Sequence, residues 1–283
     1  RCSLNPVLGR ESNYAEIPPA INKKKVIIIG GGPAGMQAAL TASSRGHEVV
    51  LYEKTGRLGG NLIYAGALEI KADMKRYTEW LIRQTENAAG ITINLGTEAT
   101  PEKVTSDKAD AIIVAVGADP IPADFTGTDK ADVFWVGDVN IGNARVGDNV
   151  AVIGGGATGS ETALQLAIDG KKVTVIDMLD SISVQADWPR GLAEKLEEYG
   201  VRLLTGMNVE GITDEGIIAI NDRWERSTIT ADTVILSLGF SPRKAIVDRF
   251  RNLSADVYII GDCRKAKTVK EAVHDGFNVA VEI

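Results

Sequence analysis

Apolar residues along this chain gather into short unbroken runs, not into long amphipathic stripes. Val26-Ile27-Ile28-Ile29, Val49-Val50-Leu51-Tyr52, Val150-Ala151-Val152-Ile153 and Val173-Thr174-Val175-Ile176 are each apolar or β-branched throughout. Such runs predict strands buried on both faces, the pattern of a parallel sheet covered by other layers. Ala111 to Val116 and Thr233 to Leu238 read as further central strands, closed by Gly117 and Gly239, and Val257-Tyr258-Ile259-Ile260 as a late one. Helical spacing over 67–90 and 188–200 ends at Gly90 and Gly200, and residues 269–283 predict a closing helix. Residues 1–22 have no period and predict an extended arm. The Pro-, Gly- and Asp-rich stretch 119–148 predicts a passage between domains.

Two of these segments are copies. Residues 26–53 align without a gap onto 150–177 at a constant offset of 124, with ten of 28 positions identical. Each copy reads strand, glycine turn, helix stopped by Gly46 or Gly170, and second strand, so the sequence predicts an α/β chain with two Rossmann-like units. A length of 283 residues agrees with two domains of ordinary size.

The turns are Gly30-Gly31-Gly32-Pro33-Ala34-Gly35 and Gly154-Gly155-Gly156-Ala157-Thr158-Gly159, both of the form G-x-G-x-x-G between a buried strand and a helix. The first glycine makes the tight turn, the second admits a pyrophosphate, and the third lets helix and strand pack closely. Free N–H groups at the helix start then face the phosphates. Glu53 and Asp177 each lie 23 residues after the first glycine of their turn, where a strand-tip carboxylate accepts hydrogen bonds from an adenosine ribose. Asp177 repels a 2′-phosphate, and Met178-Leu179-Asp180 offer no arginine to receive one, so NADH is expected over NADPH at the second turn.

Composition narrows the partners. Charged residues make up 24% and hydrophobic ones 44%, and the net charge of −7 argues against nucleic acid. The Lys23-Lys24-Lys25 cluster reads as a solvated strand entry. No apolar run is long enough to span a bilayer and no signal-peptide pattern opens the chain, so a cytoplasmic location is expected. Cys2 and Cys263 form no C-x-x-C pair, which excludes a dithiol relay within the chain. His47, His274 and the scattered Trp80, Trp135, Trp188 and Trp224 read as structural. Oligomeric state is open.

On these residues the chain resembles the two-dinucleotide-binding-domain flavoproteins over nearly its whole length. Glu53-Lys54-Thr55-Gly56-Arg57-Leu58-Gly59-Gly60 is similar to that family's extension of the FAD fingerprint, and Ala115-Val116-Gly117 to its strand-end motif, with the usual Thr replaced. Ser237-Leu238-Gly239 resembles the equivalent on the NAD side, and Gly261-Asp262 the late motif whose aspartate holds the ribityl chain. Singly, these also read as a loop, a strand stop and a helix-cap residue; their order favours the resemblance. It implies FAD contacts at Gly30, Gly32, Pro33, Ala34, Gly35, Glu53, Lys54, Arg57, Gly59, Gly60, Asn61, Ala99, Ala115, Val116, Gly117, Gly261, Asp262 and Val269. It implies NAD contacts at Gly154, Gly156, Ala157, Thr158, Gly159, Ser160, Glu161, Asp177, Leu238 and Gly239. It also implies an NAD(H) domain over 119–239 inserted in a split FAD domain, 24–118 and 240–283, after an arm over 1–23. No side chain is expected to act as nucleophile or acid-base catalyst.

A closer resemblance rests on Cys2-Ser3-Leu4-Asn5-Pro6-Val7-Leu8-Gly9-Arg10-Glu11, which is similar to the joint in the NADH:flavin oxidoreductase family of enoate reductase, 2,4-dienoyl-CoA reductase and trimethylamine dehydrogenase. There the motif supplies the last cysteine of a 4Fe-4S site that follows an FMN-binding barrel. The resemblance implies Cys2 as that ligand, with the barrel and the other three cysteines upstream, and this chain as the C-terminal part of a longer polypeptide. The implied function is NADH oxidation by FAD, with electrons passed to the cluster, FMN and an activated alkene; the chain alone performs only the first half. The alternative is a structural module that holds ADP in place of FAD and accepts no hydride.

Overall fold

The computed structural model describes residues 2–14, 16–182, 191–253 and 255–283. The chain divides into two compact units: Arg1–Ile63, Asp73–Asp119 and Phe240–Ile283 form the first, and Tyr64–Ala72 with Pro120–Gly239 the second. Residues 64–72 thus cluster with the second unit although they lie inside 24–118.

The first unit is built on a five-stranded parallel sheet in the order Asp256–Ile259, Ala111–Val114, Lys25–Ile29, Glu48–Tyr52, Ile91–Asn94. Side chains alternate across its faces. Val26 and Ile28 point with Val49, Leu51, Ala111 and Ile113 into a core closed by Met36, Ala38, Ala39 and Ala42 of helix Pro33–Ser44, Tyr77 and Leu81 of helix Ala72–Asn87, and Ala272, Val273 and Ala280 of helix Val269–Glu282. Ile27, Ile29, Ile112 and Val114 point the other way, against Val104, Val247, Phe250 and Cys263. Burial on both faces is why these runs carry no polar alternation. Gly276 lets the closing helix lie directly on helix Pro33–Ser44, because a Cβ there would overlap the carbonyl oxygen of Ala34.

The second unit repeats the sheet: Val133–Trp135, Thr233–Leu236, Asn149–Ile153, Lys172–Ile176, Arg202–Leu204, again all parallel. Val150, Val152, Val173, Val175 and Ile235 pack on Ala163, Leu164, Leu166 and Ala167 of helix Ala157–Ile168 and on Leu192 and Leu196 of helix Gly191–Glu198. Ala151, Ile153, Ile176 and Val234 are covered instead by Ile212, Ile217, Ala219 and Ile229 of a three-stranded antiparallel sheet, Met207–Ile212, Ile217–Asn221 and Arg226–Ile229.

Several expectations change in detail. The helix expected over 67–90 is broken: Leu68 is extended, Glu69–Lys71 is a 3-10 turn, and the α-helix spans Ala72–Asn87. The one expected over 188–200 spans Gly191–Glu198, and Trp188 lies outside the described residues. The arm is not extended throughout. Glu11–Tyr14 is a helical turn, with the Tyr14 ring edge-on to Phe277 at 5.3 Å and the Arg10 guanidinium over both rings. The passage 119–148 contains the edge strand Val133–Trp135 and helix Val136–Asn140. Among the described residues no helix is long and apolar enough to cross a membrane.

Candidate functional site

Each glycine turn leaves the C-terminal end of the middle strand of its sheet, the place where open parallel sheets bind ligands. In the first unit the N–H of Gly30 donates to Tyr52 O at 2.8 Å, and in the second Gly154 does the same to Ile176 at 2.8 Å. Gly30 and Gly154 take φ of +109° and +106°, a region an L side chain rarely enters, and a Cβ would overlap the carbonyl oxygens of Ala115 and Ser237 respectively. Gly35 and Gly159 press equally close to the carbonyls of Gly30 and Gly154. The middle glycines differ. A Cβ on Gly32 or on Gly156 would meet nothing within 4 Å, so open space lies over the start of each helix.

Neither helix start is filled from within. Gly32 caps helix Pro33–Ser44 and Gly156 caps Ala157–Ile168, both without a side-chain hydrogen bond. The first-turn N–H groups and the positive end of the dipole therefore remain for an anion. Beside each turn stands its acid. Glu53, 8% exposed, accepts from the N–H of Gly31 at 2.7 Å through one carboxylate oxygen and from the N–H and hydroxyl of Thr55, both at 2.8 Å, through the other. Asp177 accepts from the N–H of Gly155 at 2.5 Å and from that of Leu179 at 2.8 Å. These cradles fit the adenosine diphosphate part of a dinucleotide: an uncapped helix start for the phosphates and a fixed carboxylate with lone pairs left over for ribose hydroxyls.

The remaining first-unit residues frame that turn. Gly59 donates to Gly31 O at 2.9 Å and a Cβ on Gly60 would lie 3.0 Å from Gly32 Cα, so the 53–60 segment crosses directly beside the turn, with Lys54 and Arg57 exposed and Asn61 half-buried. The side chain of Ala99 is buried in the core that also holds Tyr52 and Val104. Gly117 has φ of +75° and open space above it. Asp262 is half-buried and accepts from Lys267 N–H at 3.2 Å; burial pushes its carboxyl up from the ordinary aspartate value. Val269 opens the closing helix, whose Thr268 cap is bonded to the carboxylate of Glu271.

In the second unit Leu238 and Gly239 follow strand Thr233–Leu236 beside the turn. Two expected contact residues have side chains committed inside the fold. Ser160 donates back to Gly155 O at 3.1 Å, and Glu161, 7% exposed, pairs with Lys71 Nζ at 2.6 Å. Lys71 carried no signal in the sequence, since its partner is 90 positions away. Arg243 is a second residue the sequence did not reveal. Its guanidinium donates to Val116 O at 2.6 Å and to Asp119 at 2.6 and 2.8 Å, fixing the Ala115-Val116-Gly117 strand end and holding the Asp119 carboxyl below the usual range.

Cys2 is half-buried, accepts from Leu4 N–H at 3.4 Å, and has its thiol pKa lowered by the N–H groups of Leu4 and Asn5. Its carbonyl meets His274 Nε2 at 2.9 Å. Among the described residues no three His, Cys, Asp or Glu side chains could hold a metal, so Cys2 does not complete a metal site with them. Cys263 is buried against Val114 O and Ile260 O, and burial pushes its thiol up. His47 is buried, accepts from Lys24 N–H at 3.0 Å through Nδ1, and has its pKa lowered by burial.

Comparison with known proteins agrees with this geometry. Residues 24–276 match the model of the pyridine nucleotide-disulphide oxidoreductase family. An NADH oxidase of Thermoanaerobacter brockii is 38% identical over the whole chain, and a cinnamate reductase of Clostridium sporogenes 33%. The chain spans 44% and 42% of those proteins, less than half of each. The solved structure of a 2-naphthoyl-CoA reductase superposes on all of this chain and 43% of its own with a TM-score of 0.89 at 30% identity. Two Rossmann-like sheets, two glycine cradles with their acids and a family match over nearly the full length place this chain in the pyridine nucleotide-disulphide oxidoreductase family, as an oxidoreductase module of the FAD- and NAD(H)-binding type.

Proposed function

We propose that the first unit holds FAD and the second NADH, and that the chain is the electron-input module of a longer NADH-dependent reductase. The observation that carries this reading is the pair of cradles in which Glu53 and Asp177 are each bonded to the N–H of the residue after the first glycine. In the first unit, Gly30, Gly32, Pro33, Ala34, Gly35 and Glu53 take the adenosine diphosphate half. Lys54, Arg57, Gly59, Gly60, Asn61, Ala99, Ala115, Val116, Gly117, Gly261, Asp262 and Val269 extend the site beyond it. In the second, Gly154, Gly156, Ala157, Thr158, Gly159 and Asp177 take the same half of NADH, with Leu238 and Gly239 beside it. The Asp177 carboxylate favours the free 2′-hydroxyl of NADH over the phosphate of NADPH.

When bound, NADH and FAD supply a two-electron donor and a two-electron acceptor. The protein's own contribution is placement and charge. Backbone N–H groups at two helix starts neutralise pyrophosphate, and two fixed carboxylates set the riboses, so each nucleotide is held in one orientation. No side chain serves as a nucleophile.

In the longer protein, Cys2 would be one ligand of a 4Fe-4S cluster, which would supply one-electron transfer toward FMN in a barrel domain and an activated alkene; backbone N–H groups around its sulfur suit a thiolate ligand. The test uses the 283-residue chain reconstituted with FAD. It is expected to be yellow, to reduce ferricyanide with NADH faster than with NADPH, and to leave enoates untouched. A colourless protein that retains ADP and reduces nothing would instead be the structural module.

A further inference from the structure

The two units share a second repeat. Ala131-Asp132-Val133-Phe134-Trp135-Val136-Gly137-Asp138 matches Ala255-Asp256-Val257-Tyr258-Ile259-Ile260-Gly261-Asp262 at five of eight positions, with the same offset of 124. Both segments form the edge strand of their five-stranded sheet, two places from the strand that carries the glycine turn. All strands in each sheet are parallel, so Gly137-Asp138 leaves its sheet at the same edge as Gly154 and Ser237-Leu238-Gly239. Gly261-Asp262 likewise leaves beside Gly30 and Ala115-Val116-Gly117.

We infer that Asp138 binds the nicotinamide-side ribose of the dinucleotide on the second unit. The inference rests on the NAD(H) reading of that unit and extends it to the half of the molecule that the glycine turn does not reach. The sheet order sets the direction. Asp177 ends the strand on one side of Asn149–Ile153, and Asp138 follows the edge strand on the other side, three strand spacings away, about 14 Å. A dinucleotide whose first ribose lies at Asp177 and whose phosphates lie at Gly154–Gly159 runs past Ser237-Leu238-Gly239 toward Asp138. That is the span from one ribose to the other in an extended dinucleotide.

The local structure leaves the carboxylate available. Asp138 is half-exposed and makes no side-chain hydrogen bond or ion pair among the described residues. It is not spent as a cap either, because Trp135 caps helix Val136–Asn140 without a side-chain bond. Its backbone is held firmly nonetheless. The Trp135 ring fills the space a Gly137 side chain would need, and Asn140 accepts from the Thr162 hydroxyl at 2.9 Å, tying this turn to the helix that follows the glycine cradle. A carboxylate carried on a fixed backbone, with no partner among the described residues, suits a vicinal diol.

The test is calorimetric titration of the FAD-loaded full chain with ADP and with ADP-ribose, which differ by the second ribose. The wild-type protein is expected to bind ADP-ribose about tenfold more tightly than ADP, the size of a hydrogen-bonded contact to a charged group. Asp138→Ala should erase that ratio while leaving ADP binding unchanged, and Asp138→Asn should reduce it in part. Asp177→Ala should weaken both ligands equally. A ratio that survives in Asp138→Ala, or a loss shared in proportion by ADP, overturns the assignment while the Asp177 effect still supports NAD(H) on this unit. If neither ligand responds to Asp177→Ala, the NAD(H) reading falls and the assignment with it.

Discussion

The backbone N–H of Gly155 donates to the carboxylate of Asp177 at 2.5 Å, joining the glycine turn to the tip of the next strand. That bond fixes the carboxylate before any nucleotide arrives, so its affinity contribution is not spent on ordering the side chain. Asp177→Asn removes the charge and keeps the shape. It is expected to weaken NADH binding about tenfold or more, with FAD content unchanged, as read by titration of the FAD-loaded protein.

Open space above Gly32 and Gly156 makes them separable probes of the two cradles. Gly32→Ala and Gly156→Ala place a methyl where a pyrophosphate would lie yet touch nothing in the fold. Each should cost no more than about 1 kcal/mol of stability. Gly32→Ala should lose FAD on gel filtration, and Gly156→Ala should keep FAD but lose NADH binding by at least about tenfold.

Gly276 behaves in the opposite way, since its missing side chain is filled by the carbonyl of Ala34 on the neighbouring helix. Gly276→Ala forces the two helices apart, an overpacking expected to cost about 1–3 kcal/mol, visible as a lower urea midpoint.

His47 gives the fold a pH dependence. Burial lowers its pKa from the ordinary 6.5, so below that value the unfolded chain binds a proton that the native state resists. This group's penalty is absent well above the ordinary imidazole pKa and grows as pH falls through it toward the depressed native value. Urea unfolding across that window should show a slope that flattens in His47→Gln.

What the sequence made legible follows from how the elements are buried. The central strands are apolar on both faces, as at Ile27 and Ile28, which point into different cores, and such runs announce themselves. The glycine turns were equally clear, because close approach to Ala115 and Ser237 admits no other residue. The sheet Met207–Ile229 was not, since its strands mix polar and glycine positions among the apolar ones, the ladder is bulged between Val209 and Gly211, and Arg226, Ser227 and Thr228 of its last strand are exposed. Val133–Trp135 escaped because three residues inside a Pro- and Gly-rich stretch make no period; only its match to the late strand betrays it. Pairings such as Lys71 with Glu161 and Arg243 with Asp119 join residues about a hundred positions apart, and no local pattern encodes them.

Central to the proposed function is a different tenant for each cradle, FAD in the first and NADH in the second. Anaerobic titration of the FAD-loaded chain with NADH, followed by flavin absorbance, addresses both together. The wild-type protein should bleach promptly with one equivalent of NADH, whereas Gly156→Ala should bleach at least about tenfold more slowly with the same NADH yet fully with dithionite. A wild-type flavin that NADH leaves oxidised, or a Gly156→Ala protein that bleaches as readily as wild type, would contradict it.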